Sequence, residues 1–253
     1  MARKLQIAKE KLCAISLFNN FTFMTIIWHG MSCFEINVIV GKGERVTILI
    51  DPLDEGKCGI KMPKIDADIV LITNKIYTTH APEKIKSAFL IDCPGEYEIK
   101  GVYIQGIASL GGEATGKTKP EKNDKTVSAA STEFNTIFSI EAEEMQICHL
   151  GSIQQAELSQ DQTAKIGNVD ILMCPVGNGI SLDAKAALKI MSQIEPSIVI
   201  PMTYAMSAAK VKLTALEEFL KEAGVGKIEP LSKLLIKKKE INPEEAKIIV
   251  LNA

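Results

Sequence analysis

A chain of 253 residues with 29 Lys plus Arg against 31 Asp plus Glu, a net charge of -2, is long enough to bury one core and carries no electrostatic footprint for nucleic acid. Apolar residues make up 46% and aromatic residues 5%, which excludes a disordered chain and suits well-covered sheets rich in Ile, Val, Leu and Ala. The six cysteines, Cys13, Cys33, Cys58, Cys93, Cys148 and Cys174, form no C-x-x-C pair and lie mostly in apolar runs, so they read as reduced thiols of a cytoplasmic protein.

Residues 1–23 begin with Arg3, Lys4, Lys9 and Lys11 and then turn apolar from Leu12 to Phe18, where Asn19-Asn20 cuts the run to about seven residues. That is the lower edge for a signal sequence and too short for a spanning helix, so the stretch reads as an N-terminal extension and residues 24–253 as the domain. Strand patterns follow at 25–28, 33–40, 46–50, 69–73, 89–91, 97–107, 135–140 and 146–150, each β-branched or apolar and bounded by Gly, Pro, Asp or Asn. The second half alternates strands at 169–174 and 197–202 with helices at 183–194 and 208–223, the latter ended by Gly224. A strand pair at 231–237 and 246–251 closes the chain. Residues 111–133 are almost free of apolar side chains and read as a surface loop. Gly111, Gly116, Lys117 and Thr118 spell the letters of a phosphate loop, but Pro120 and the polar run behind them remove the helix that such a loop must open.

An ordered series of short motifs spans the domain: Gly30-Met31-Ser32, Ile50-Asp51-Pro52, Asp92-Cys93-Pro94-Gly95-Glu96-Tyr97-Glu98, His149-Leu150-Gly151-Ser152, Pro175-Val176-Gly177-Asn178-Gly179, Ile194-Glu195-Pro196 and Ile200-Pro201-Met202-Thr203-Tyr204. The series resembles the lactonase-like branch of the metallo-β-lactamase superfamily, Zn-dependent hydrolases related to ascorbate-6-phosphate lactonase. The resemblance implies an α/β fold, a four-layer αββα sandwich, in which loops at one edge of the two sheets hold one or two zinc or manganese ions. There a metal-bound hydroxide attacks the substrate.

The same resemblance places the family's ligands on residues that do not ligate. Its early G-H-S corresponds to Gly30-Met31-Ser32, and its H-x-H-x-D-H to Asn74, Ile76, Thr78 and Thr79. The next histidine falls at Gly111, the aspartate of H-L-G-D at Ser152, and the histidine of P-M-H-Y at Thr203. These eight positions read as a vestigial metal site, with Asp51, His80, His149 and Tyr204 as further cleft residues. Of the three histidines, His29 and His149 read as hydrogen-bonded core or rim residues, and His80 lies one position past the motif. Asp51, Asp92, Cys93 and His149 are the donors from which a metal site would be rebuilt. Ser152 with His149, and Cys93 with His80, are nucleophile and base pairs without an evident third group. The expectation is therefore a non-catalytic relative with no cofactor, whose cleft takes a small molecule or a protein and neither nucleic acid nor membrane. The alternative is a lactonase- or phosphodiesterase-type hydrolase with zinc or manganese on an unusual ligand set, since a shared fold does not fix chemistry.

Overall fold

In the computed structural model, residues 23–75, 78, 88–111 and 134–253 are described. The first sheet gathers β12 (Leu234–Ile236), β1 (Met24–Gly30), β2 (Cys33–Val40), β3 (Glu44–Ile50), β4 (Ile69–Leu71) and β5 (Phe89–Ile91), in that order. The second runs β13 (Lys247–Ile248), β11 (Ile198–Met202), β10 (Ile171–Pro175), β9 (Met145–His149), β8 (Phe134–Ala142), β7 (Val102–Leu110) and β6 (Gly95–Ile99). Both sheets are mixed. β1, β2 and β3 pair antiparallel, β3, β4 and β5 parallel, while β9, β10, β11 and β13 are parallel and β6 to β9 antiparallel.

Side-chain alternation explains how the sheets stack. Ile48 and Ile50 of β3, with Ile69 and Leu71 of β4, join the large core between the sheets, where they meet Ile104, Ile140 and Ile147. Leu49, Val70 and Ile72 point the other way and build a second cluster with Met31, Cys33, Cys58 and Ile60 on the outer face of the first sheet. β10 and β11 are buried along their whole lengths, Ile-Leu-Met-Cys-Pro and Ile-Val-Ile-Pro-Met, because helices cover the parallel part of the second sheet. These helices include α2 (Gln160–Ile166), α3 (Ala184–Ile194) and α4 (Leu216–Glu222), while α1 (Glu55–Cys58) follows β3. Asp183 caps α3 through the Ala186 N–H at 2.8 Å, and Ser159 and Gln162 close a capping box on α2, each worth about 1 kcal/mol. This is the two-sheet, helix-covered architecture that the resemblance implied.

Two sequence expectations fail in their boundaries. The single strand at 97–107 is a hairpin of β6 and β7, turned by Lys100 at φ 51° and Gly101 at φ 77°. The helix expected from 208 begins only at Leu216, because the Lys210 N–H bonds Cys58 O and the Thr214 N–H bonds Gly177 O, which draws that segment across the sandwich. Residues 1–22 and 112–133, with the extension and most of the polar loop, lie outside the described residues.

Candidate functional site

Strand ends bring the motif positions to one edge of the two sheets. Met31 follows β1, Asp51 follows β3, Asn74 and Thr78 follow β4, Gly111 follows β7, Ser152 follows β9 and Thr203 follows β11. Hydrogen bonds join these ends across the sheets. The Thr203 N–H donates to Met31 O at 3.1 Å, and the Thr136 N–H on β8 donates to Thr73 O at 2.8 Å. Asn135, fully buried, accepts the Ser152 N–H at 2.8 Å and donates to Leu150 O and Ser109 Oγ. Gly111 bridges to Ile153, Leu53 to Thr78, and the Thr78 hydroxyl donates to Asn74 O at 2.5 Å. Ile76, Thr79 and His80 lie outside the described residues.

Three of these ends carry unusual backbone. Met31 at φ 50°, Asp51 at φ 47° and Thr203 at φ 55° are in the left-handed region, where a Cβ crowds the following carbonyl and a β-branched residue is a strong outlier. Each costs about 1–3 kcal/mol that surrounding contacts must offset. Gly177 shows how tightly Thr203 is held: a Cβ at Gly177 would fall 2.1 Å from Thr203 O. At Gly151, φ 63°, a Cβ would fall 2.4 Å from Asn135 Oδ1 and 2.6 Å from Thr73 Cβ.

Among the described residues, the carboxyl and imidazole of the cleft, Asp51 and His149, are already engaged in hydrogen bonds. Asp51 accepts the Thr73 N–H at 2.7 Å and the Thr73 hydroxyl at 2.6 Å. Complete burial raises its carboxyl to about 6, against the lowering effect of the bonds from Thr73 and Ser32. His149 presents Nε2 to Ser32 O at 2.9 Å and accepts the Gly151 N–H on Nδ1 at 3.1 Å. With a carbonyl on one side and an N–H on the other, the ring is the neutral Nε2–H tautomer. Burial lowers its pKa to about 4. Neither nitrogen offers a lone pair without breaking a bond. Tyr204 stacks on Trp28 with centroids 4.9 Å apart and donates to Leu251 O at 3.3 Å, and burial pushes its phenol up.

Other donors named from sequence are elsewhere engaged. Asp92 pairs with Lys75 at 3.4 Å, and the exposed Cys93 lies 3.2 Å from the Tyr97 hydroxyl. His29 pairs with Glu35 on the rim of β1 and β2. The residues that organise the cleft are Ser32, which the sequence places in a motif without a role, and Thr73 and Asn135, which stand in no motif. Their signal was modest: each is a small polar residue at the end or start of an apolar run, where a strand meets its loop.

A protein-family model, the β-lactamase superfamily domain, matches residues 25–203, most of the chain and every cleft position from Met31 to Thr203. The chain belongs to the metallo-β-lactamase superfamily. It is 27% identical to a metal-dependent hydrolase of Methanopyrus kandleri over 72% of this chain and 84% of the relative. A Pyrococcus abyssi protein is 29% identical over 72% of this chain and 83% of its own length. Among solved structures, a protein from Thermotoga maritima named a Zn-dependent hydrolase of the superfamily superposes with a TM-score of 0.67 at 27% identity, covering 90% of this chain and 98% of its own.

These names correct one expectation. A chain without a cofactor is not what the relatives support, because they are named for metal-dependent hydrolysis and membership of their family implies a metal. The described donors do not by themselves fit such a centre. Met31 offers a buried thioether, Thr203 and Ser152 neutral hydroxyls, and Gly111 no side chain. Among the described residues, no three His, Cys, Asp or Glu side chains converge on one point.

Proposed function

We propose that the cleft of this superfamily member binds a small polar molecule and does not hydrolyse it by the family's ligand set. The observation that carries this reading is the pairing of costly backbone with unreactive side chains. Met31 and Thr203 keep left-handed strand ends at two of the eight family ligand positions, yet one is a buried thioether and the other a buried hydroxyl without a hydrogen-bond partner among the described residues. Strain of this kind persists where a bound group has to be held, and Thr203 Oγ1 is left for such a group. Neutral Ser32, Ser152 and Thr78 line the same edge, which favours a polar ligand over a hydrocarbon. Free thiols at Cys33, Cys58, Cys93, Cys148 and Cys174 support a reducing, cytoplasmic setting. Among the described residues, no helix is long and apolar enough to cross a membrane.

A second reading is a lactone or phosphodiester hydrolase with an unusual ligand set, and the names of two relatives, a metal-dependent and a Zn-dependent hydrolase, support its hydrolase part. Turnover separates the two. With zinc or manganese added in excess, a nitrophenyl phosphodiester and a simple γ-lactone are expected to hydrolyse at the buffer rate, whatever metal the protein carries. Saturable hydrolysis that Asp51→Asn abolishes would establish the second reading and end the first.

A further inference from the structure

The second hydrophobic cluster is unusual in what it collects. On the outer face of the first sheet, beside the Gly30-Met31-Ser32 turn, Met31, Cys33 and Cys58 are buried together, with Met62 and Met206 packed against them. Strand alternation puts Cys33 there, since its neighbour Phe34 faces the inter-sheet core. The Cys33 Sγ lies 3.7 Å from Met62 Sδ, and the Leu53 backbone and the buried Asp51 carboxyl are its polar neighbours. Cys58 closes the short helix α1 at the edge of the same cluster, its thiol beside the Ile60 backbone.

From this arrangement we propose that Cys33 and Met62, with Cys58 as the neighbouring third sulfur, form a binding site for a soft monovalent metal ion of the Cu(I) or Ag(I) type. Thiolate and thioether donors select soft ions, and such ions accept the low coordination numbers that two or three sulfurs provide. Charge points the same way. Cys33 loses its proton to solvent as the sulfur–metal bond forms while Cys58 keeps its own and acts as a neutral thiol, and one thiolate with one monovalent cation is a neutral unit that an apolar cluster tolerates. Burial also holds the free Cys33 thiol well above its ordinary pKa, so without a metal it stays protonated. Met62 is partly exposed between the exposed Lys61 and Pro63, which gives the ion a route from solvent to Cys33. The site adjoins the hydroxyl-lined cleft through Met31 and Asp51, but its sulfur donors have no part in the function proposed for that cleft.

Anaerobic titration of the full reduced chain with Cu(I) against a chromophoric bicinchoninate competitor tests the site, with Ag(I) as a redox-inert second probe. About one equivalent is expected to be withheld from the competitor, and Zn²⁺ is not expected to displace it. Cys33→Ser and Met62→Leu should each weaken retention, the first by about 100-fold or more, while Cys93→Ser, at the exposed thiol, leaves it unchanged. Met62→Leu keeps volume and apolarity, so its effect reads ligation and not packing. Retention that survives both Cys33→Ser and Met62→Leu, or that vanishes in Cys93→Ser, overturns the proposal. So does a reduced native chain that withholds no Cu(I) or Ag(I).

Discussion

Asp51→Asn and His149→Gln are expected to bend the pH dependence of stability in opposite directions, by about 3 kcal/mol each, although the two side chains belong to one cleft. Asp51 has its folded-state pKa raised from 3.8 to about 6, so its contribution is full below pH 3.8 and is lost as pH rises through 6. His149 has its pKa lowered from 6.5 to about 4, so its contribution is full above pH 6.5 and is lost as pH falls toward 4. Between pH 4 and 6 the two oppose each other in the native chain. Removing Asp51 leaves the histidine slope, and the variant should weaken steadily relative to the native chain as pH falls from 6 to 3.8. Removing His149 leaves the carboxyl slope, and that variant should gain on the native chain as pH falls from 6.5 to 4. Both lose hydrogen bonds at every pH, which offsets their curves without changing the slopes. Urea unfolding across pH 4 to 7 reads the difference curves. Two curves parallel to the native one would mean that neither group titrates abnormally in the folded state.

Gly177→Ala should cost about 3 kcal/mol or more, among the largest effects of any single methyl group in this chain. The added Cβ would lie 2.1 Å from Thr203 O and 2.6 Å from Tyr204 Cα. Both are backbone atoms, so no side-chain rotation relieves the overlap, and the loop after β10 must lift off the end of β11. That loop also receives the Thr214 N–H on Gly177 O, which ties the approach to α4 to the same contact. Gly226→Ala is the control. A Cβ there meets nothing within 4 Å, and its cost should stay within about 0.5 kcal/mol. Denaturant midpoints decide: equal stability of the two variants would show that the Gly177 contact with Thr203 is absent in solution.

Much of this architecture is legible in the chain itself. β2 was read at its observed bounds, and α3 within one residue, because Asp183 caps a run with clear helical spacing. The hairpin between β6 and β7 was not, since Tyr97, Ile99, Val102, Tyr103, Ile104 and Ile107 keep a strand-like composition on both sides of Lys100-Gly101, which alone marks the turn. The helix expected from 208 was cut short by tertiary bonds from Lys210 and Thr214, which no local pattern encodes. Helix α2 was readable in principle from Ser159-x-x-Gln162. At the cleft, the order of motifs gave the strand ends, whereas the engagement of both His149 nitrogens and the buried state of Asp51 required three-dimensional contacts with Ser32, Gly151 and Thr73.

The placement of the cleft positions is tested most directly by restoring the family's side chains and measuring metal content. The variant combines Met31→His, Asn74→His, Ile76→His, Thr78→Asp, Thr79→His, Gly111→His, Ser152→Asp and Thr203→His. If these positions converge at one edge of the sandwich, the restored chain takes up about one further equivalent of Zn²⁺ beyond the native chain, measured by elemental analysis after gel filtration. A restored chain with native circular dichroism and no more zinc than the native protein would contradict the placement.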